Sequence, residues 1–282
     1  MKKRILILGV SSFGGSSFFK YLNRETKYKI WGTYRKKSNL KKLFNNFKNN
    51  YNFIKLDLSA PNNRLIKIIS KIKPHYIFDF ASVCLVNESW LNPNYYFKVN
   101  FYSKIQMVEN FKNFNFMKKF IYISTPEVFG STKLPAKENQ KVYLPSTPYA
   151  LSKLNMENLL STYNNRQKKS IIVRASNFYG LDQLEHRLIP KLIKFLKSRK
   201  KFPLHGKGDS KRNFIFEDDF NKGLVKLIRY GKCGDTYHFS SQKHYSIKNI
   251  VKMMCNLLNV KYEDYVYKVK DRIGKDKFYF LN

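Results

Sequence analysis

Residues 1–15 read MKKRILILGVSSFGG, and this stretch decides the fold class. Ile5 to Leu8 is an unbroken apolar run stopped by Gly9, the pattern of a parallel strand buried on both faces. Gly9, Gly14 and Gly15 then fill a short loop before Ser16 to Leu22, which reads as a helix. A tight strand-to-helix turn needs small residues, so that the backbone can approach a pyrophosphate lying at the helix N-terminus. The spacing is G-x-x-S-x-x-G, with Ser12 where a middle glycine is usual. Gly9, Ser12, Phe13, Gly14 and Gly15 are therefore the expected cradle for a dinucleotide phosphate.

Outward from this loop the chain alternates short apolar strands with helices. Lys29 to Tyr34, Phe53 to Leu56, Tyr76 to Phe80, Phe120 to Ile123 and Ile171 to Arg174 read as strands. Leu65 to Ile72, Tyr96 to Asn110 and Tyr149 to Tyr163 read as helices. Such alternation implies βαβ units with right-handed crossovers, hence an α/β fold with a doubly wound parallel sheet. Beyond about Asn177 the alternation weakens, which suggests a smaller, interleaved C-terminal lobe for substrate. The expected division gives residues 1–175 and 212–240 to a dinucleotide-binding Rossmann domain and 176–211 and 241–282 to that lobe.

Two further stretches bear on chemistry. At the end of the second strand, Trp31 to Lys37 holds no acid, whereas a site for NAD usually places Asp or Glu there for the ribose 2′-hydroxyl. Arg35 suits a 2′-phosphate instead, so NADP is the expected cofactor, with NAD the alternative. Tyr149 and Lys153 form Y-x-x-x-K on a helix, so both project from one face. An ammonium beside a phenol favours the phenolate, a general base near neutral pH. Ser124-Thr125-Pro126-Glu127 ends the fifth strand at the carboxyl edge, where open α/β sheets collect ligands.

Taken in order, these motifs resemble the extended short-chain dehydrogenase/reductase family and, within it, the nucleotide-sugar 4,6-dehydratases. The resemblance covers nearly the whole chain. It rests on the glycine loop, Asp57-Leu58, Phe80-Ala81-Ser82, Val99-Asn100, STPEVFG at 124–130, PYALSK at 148–153, and RASNFYG at 174–180. LIP at 188–190, HGKGDSKRNFIFEDD at 205–219 and DRIGKD at 271–276 continue it. It implies that Tyr149 abstracts the sugar 4-hydroxyl proton, assisted by Lys153 and Thr125, and that Glu127 removes the C5 proton. Asp57, Leu58, Phe80, Ala81, Ser82, Asn100 and Ser124 join the cofactor site, while Asn177, Arg187, Arg212 and Arg272 grip the sugar and diphosphate. Two departures stand out. Pro126 replaces the aspartic acid with which dTDP-glucose enzymes protonate the departing hydroxyl, and the chain stops at Asn282, where relatives run on. The rival readings are a 4-epimerase, which needs no carboxylate at Glu127, a UDP-glucuronate decarboxylase, and an inactive basic binding protein.

Composition narrows the partners. The formal charge is +35, from 54 Lys and Arg against 19 Asp and Glu. The excess is mainly lysine scattered among Asn, Ile, Phe and Tyr, not the clustered arginine forks that phosphate and base-edge recognition favours. No specific nucleic-acid partner is expected. Cys84, Cys233 and Cys255 lie far apart, with no CxxC pair and no His at ligand spacing, so neither a disulfide nor a metal site is expected. Ile5 to Leu8 is too short for a signal-peptide core, and no other run has the length to span a bilayer. The expected protein is cytoplasmic, takes a nucleoside-diphosphate hexose, and forms a homodimer or higher homo-oligomer.

Overall fold

The computed structural model describes residues 2–37, 40, 44, 51–60, 63–132, 134–270 and 278–282. Strand β1 (Arg4–Leu8) lies mid-sheet, and its alternate side chains divide between two cores. Ile5 and Ile7 join a cluster with Phe18, Phe78 and Phe220, while Leu6 and Leu8 join one with Ile69, Met107 and Phe120. The run after Arg4 carries no polar residue because each face of the strand meets apolar packing.

Strands β2 (Lys29–Tyr34), β3 (Asn52–Lys55), β4 (Tyr76–Asp79), β5 (Lys119–Ser124), β6 (Ser170–Ala175) and β10 (Thr236–Phe239) complete the main sheet. Its order is β10-β6-β5-β4-β1-β2-β3, and every pairing is parallel. The strand order reverses between β1 and β4, and in such sheets the crevice beyond that point takes the ligand. Helices α1 (Phe13–Glu25) and α8 (Glu217–Tyr230) pack on one face, with Phe18, Phe19, Leu22, Phe220 and Leu224 in its core. Helices α2 (Arg64–Ile72), α5 (Ser103–Glu109) and α6 (Pro148–Asn164) pack on the other. Helices α3 (Val86–Leu91) and α4 (Pro93–Phe97) carry the chain from β4 toward α5.

A second sheet gathers β7 (Asn177–Tyr179), β9 (Lys211–Phe216), β11 (His244–Ser246) and β13 (Phe278–Tyr279). Nearby β8 (Phe202–His205) pairs with β12 (Val266–Val269). Helices α7 (Leu188–Lys197) and α9 (Ile247–Leu257) share with β8 a small core of Leu192, Leu196, Leu204, Val251 and Cys255, flanked by α10 (Tyr262–Tyr265).

Three expectations are corrected here. The first helix begins at Phe13, so Gly14 and Gly15 lie inside its first turn and not before it. Ser12 causes this as the N-cap, its Oγ accepting from the Gly15 amide at 3.2 Å. The continuous helix expected from Tyr96 to Asn110 is interrupted by a π-helical turn, Lys98–Tyr102, which carries Asn100. Asn100 and Lys104, four residues apart, are both buried with 0% exposure, so this polar pair needs the inner face that an apolar stripe would otherwise fill. Finally, residues 212–216 do not join the dinucleotide sheet. The edge of β6 is taken by β10, and β9 pairs with β7, β11 and β13 instead.

Candidate active site

One cleft of about 580 Å³ opens along the carboxyl edge of the main sheet, running from the glycine loop to the second lobe. At its first end Gly9 holds φ +80°, and a Cβ there would stand 2.8 Å from the Ala81 backbone. A Cβ on Gly15 would stand 2.3 Å from the Gly9 carbonyl oxygen. These two glycines press α1 against the ends of β1 and β4. Ser12 Oγ donates to that same carbonyl at 2.7 Å, so the serine closes the loop from within. Ser12, Phe13 and Gly14 line the cleft at the start of α1, where first-turn amides lack helical acceptors and favour anions.

Arg35 leaves the end of β2 and also lines the cleft, donating from Nη1 to the Tyr95 hydroxyl. Beside it, Asp57 accepts from Ser59 through N at 2.8 Å and Oγ at 2.6 Å. Those bonds, with the charges of Arg35 and Lys55, hold the Asp57 carboxyl below its usual range against the opposing effect of burial. Leu58, Phe80, Ala81 and Ser82 complete this end.

Mid-cleft, Thr125 caps the short turn Pro126–Phe129, its Oγ1 accepting from the Glu127 amide at 3.3 Å. Thr147 and Pro148 start α6, which places Tyr149 in its first turn and Lys153 one turn further on. Tyr149 is 8% exposed and Lys153 is 2% exposed. Burial raises the Tyr149 phenol well above its ordinary pKa, the Glu127 carboxylate and Cys84 adding to the rise. A hydrogen bond with Thr125 and the Arg187 charge oppose it. Lys153 meets other partners in this structure. Its Nζ donates instead to the Ile123 carbonyl at 2.7 Å and lies 4.2 Å from the centre of the Tyr122 ring. Burial and the Lys104 charge press Lys153 down to about 7.

Asn177 and Arg187 line the far end. Arg187, the residue before α7, points its Nη2 at Cys84 Sγ, 3.0 Å away. The other expected groups stand apart. Asn100 does not touch the cleft: its Oδ1 accepts from Ser82 Oγ (3.0 Å) and Val83 N (2.9 Å), and its Nδ2 donates to Ser152 Oγ (2.9 Å). It ties the segment after β4 to α6 from behind. Gly15 is likewise packed behind the lining, and Arg212 lies buried in β9 with Nη1 donating to the Lys211 carbonyl at 2.7 Å. Arg272 falls outside the described residues. Sequence reasoning missed Cys84, Tyr95, Ser176 and His186, which also line the cleft. Cys84 could have been found, since it sits two residues beyond Ser82 on the segment leaving β4.

Ser124 Oγ and Ser176 Oγ are buried cleft hydroxyls with no hydrogen-bond partner among the described residues. Such atoms, the anion-favouring helix start and the room beside Arg35 and Asp57 fit a dinucleotide and a polar substrate. Among the described residues no cluster of His, Cys, Asp and Glu could hold a metal ion, and no helix is long and apolar enough to cross a membrane.

A family model described as the NAD dependent epimerase/dehydratase family matches residues 5–258. The chain belongs to that family. Among curated relatives, a trifunctional UDP-glucose 4,6-dehydratase, 3,5-epimerase and reductase of Arabidopsis thaliana is 29% identical over 99% of the chain. A dTDP-D-glucose 4,6-dehydratase of Dictyostelium discoideum is 29% identical over 90%. The chain spans 43% and 62% of the lengths of these two family members. The fold matches the dTDP-glucose 4,6-dehydratase of Bacillus anthracis in complex with NAD, with TM-score 0.86 and 24% identity over 99% of this chain and 88% of that one. It equally matches a UDP-glucuronic acid 4-epimerase of Bacillus cereus, with TM-score 0.88 and 24% identity over 99% and 90%. These likenesses fix the fold of this family member and leave the reaction to its side chains.

Proposed function

We propose that the chain is a nucleotide-sugar 4,6-dehydratase, a lyase that turns a nucleoside-diphosphate hexose into its 4-keto-6-deoxy form. The observation that carries this reading is Glu127: a carboxylate close enough to act on the Tyr149 phenol, in the cleft that also holds Thr125 and Lys153. A 4-epimerase needs the tyrosine and lysine but has no use for that carboxylate. The relatives named as 4,6-dehydratases support the same choice.

When bound along the glycine loop, a nicotinamide dinucleotide supplies the hydride acceptor at C4 and returns the hydride at C6. The rest falls to the chain. Tyr149 takes the 4-hydroxyl proton while Thr125 holds that hydroxyl in line. The resulting ketone acidifies C5–H, and Glu127 removes that proton as water leaves from C6. Once C6 has regained a hydride, C5 takes up a proton, which the 4-hydroxyl proton released through Tyr149 balances. Pro126 has no proton to give, so protonation of the departing hydroxyl falls to Glu127 or a water it orients. Asn177 and Arg187 hold the sugar and diphosphate, guanidinium forks suiting phosphate oxygens. Arg212 and Arg272 belong to this grip only through the family resemblance. The same reading assigns the second lobe to the nucleotide-sugar, and takes the protein as a cytoplasmic homo-oligomer with no specific nucleic-acid partner. Incubation with dTDP-glucose, UDP-glucose, CDP-glucose and GDP-mannose tests it. Alkali-induced absorbance of a 4-keto product is expected with at least one, and its absence with all would remove the reading.

NADP is the proposed cofactor, because no carboxylate follows β2 and Arg35 lines the cleft there. The NAD bound by the Bacillus anthracis enzyme makes NAD the alternative. Titration of cofactor-free protein is expected to give tighter binding of NADP(H) than NAD(H), with the advantage lost in Arg35→Ala. A wild-type preference for NAD(H) would reduce Arg35 to a surface group bonded to Tyr95.

A further inference from the structure

Beneath the cleft, two buried lysines approach the ring of one tyrosine. Lys104 and Asp79 form an ion pair at 2.6 Å, and neither side chain has any exposure. The Lys104 ammonium also donates to the Ala81 carbonyl at 2.7 Å, while Asp79 Oδ1 accepts from the Ala81 amide at 3.0 Å. Both backbone groups of Ala81, the residue against which Gly9 packs, are thus held by the pair. Lys104 Nζ stands 5.5 Å from the centre of the fully buried Tyr122 ring, against 4.2 Å for Lys153 Nζ. A buried ion pair is weak evidence of stabilisation, since apolar groups of similar volume often serve as well or better. This pair calls for another account.

We propose that Lys104, locked by Asp79, is a positioning residue of the reactive site: it fixes the Phe80–Ser82 wall through Ala81 and sets a second positive charge against Lys153. The groups facing Lys153 are Lys104 from α5, Asp79 from β4, Cys84 from the segment beyond β4, Glu157 from its own helix, and Tyr122 from β5. Of these charges, Asp79, Glu157 and Cys84 favour the ammonium, whereas Lys104 joins burial in opposing it. Lys104 therefore shifts Lys153 toward the neutral amine at the pH where its neighbour Tyr149 must exchange a proton. The inference rests on Tyr149 and Lys153 being the reactive pair, but its test reads Lys153 directly.

The test is an NMR titration of protein carrying ¹³C at lysine Cε, with the Lys153 signal identified by its loss in Lys153→Arg. Lys153 in the wild type is expected to titrate at about 7. Lys104→Arg keeps the charge and is expected to leave that midpoint in place. Asp79→Asn/Lys104→Met removes the pair without stranding a buried charge. The midpoint is then expected to rise, because the opposing Lys104 charge acts on Lys153 more strongly than the favouring Asp79 carboxylate that is lost with it. The pH–rate profile for substrate oxidation should move in the same direction. An unmoved midpoint in the folded double variant would overturn the proposal. So would a wild-type Lys153 titrating at the ordinary lysine value, a measurement that needs no variant to fold. Loss of 4-keto product with the NMR shift intact would instead count against the dehydratase reading alone.

Discussion

Replacing Glu127 by Gln removes the carboxylate beside Tyr149 while keeping nearly the same shape. Oxidation at C4 depends on Tyr149, Thr125 and Lys153, so it should survive, whereas elimination needs a base at C5. Turnover is expected to fall by about 10²–10⁴ with little change in substrate affinity, and reduced cofactor should build up in a single turnover. Tyr149→Phe is expected to abolish even that first absorbance change. The charge has a second consequence. Glu127 raises the Tyr149 phenol, so the Gln variant should let Tyr149 ionise at lower pH, moving the tyrosine-dependent limb of the single-turnover profile downward. Wild-type turnover in Glu127→Gln would make the carboxylate structural and put the 4-epimerase first.

At the scale of elements, the turn between β1 and α1 is the most tightly determined. Gly15→Ala would drive a methyl group to 2.3 Å from the Gly9 carbonyl, which is backbone and cannot swing away. The expected result is cofactor binding weakened at least tenfold, with a fall in the urea midpoint, whereas Ser12→Ala should lose only about 1 kcal/mol as a missing cap. Cofactor affinity of Gly15→Ala equal to wild type would show that the helix can shift without disturbing the cleft. This turn was legible in the sequence because its signals are local: an apolar run, small residues, and a serine able to cap. Tyr149 and Lys153 were legible for the same reason, one helical turn apart on one face. Asn100 was found by its place in the chain but misread in role, since only the fold reveals that its amide faces inward, tying Ser82 to Ser152. The π-helical turn that carries it leaves no periodicity mark distinct from an ordinary apolar stripe. Arg212 was misplaced because strand pairing beyond β6 is decided by which strand takes the sheet edge, a long-range contest that local pattern does not encode.

Over the whole molecule, the main sheet is tied to the segments that flank it through Arg174 of β6. Its guanidinium bonds Glu157 at 2.7 Å and Tyr143 at 2.9 Å, and lies 3.4 Å from His238 Nε2 on β10. Burial and that charge press the His238 imidazole from 6.5 down to about 4. A histidine depressed in the folded state contributes stability that is present above the unfolded value near 6.5 and lost as pH falls toward 4, because the unfolded chain takes the proton first. The loss should approach about 3 kcal/mol, read as a drop in urea midpoint between pH 7.5 and 4.5 that His238→Phe reduces. An acid slope unchanged by that substitution would place the sensitivity elsewhere. The reaction itself also belongs to this scale, since the glycine loop, β5, α6 and the second lobe all meet at one cleft. Its most direct test is turnover of a nucleoside-diphosphate hexose carrying deuterium at C4, with the product analysed by NMR and mass spectrometry. The account predicts loss of one water and deuterium on the C6 methyl of a 4-keto-6-deoxy sugar. A C4 epimer that keeps both its deuterium at C4 and its 6-hydroxyl would contradict it.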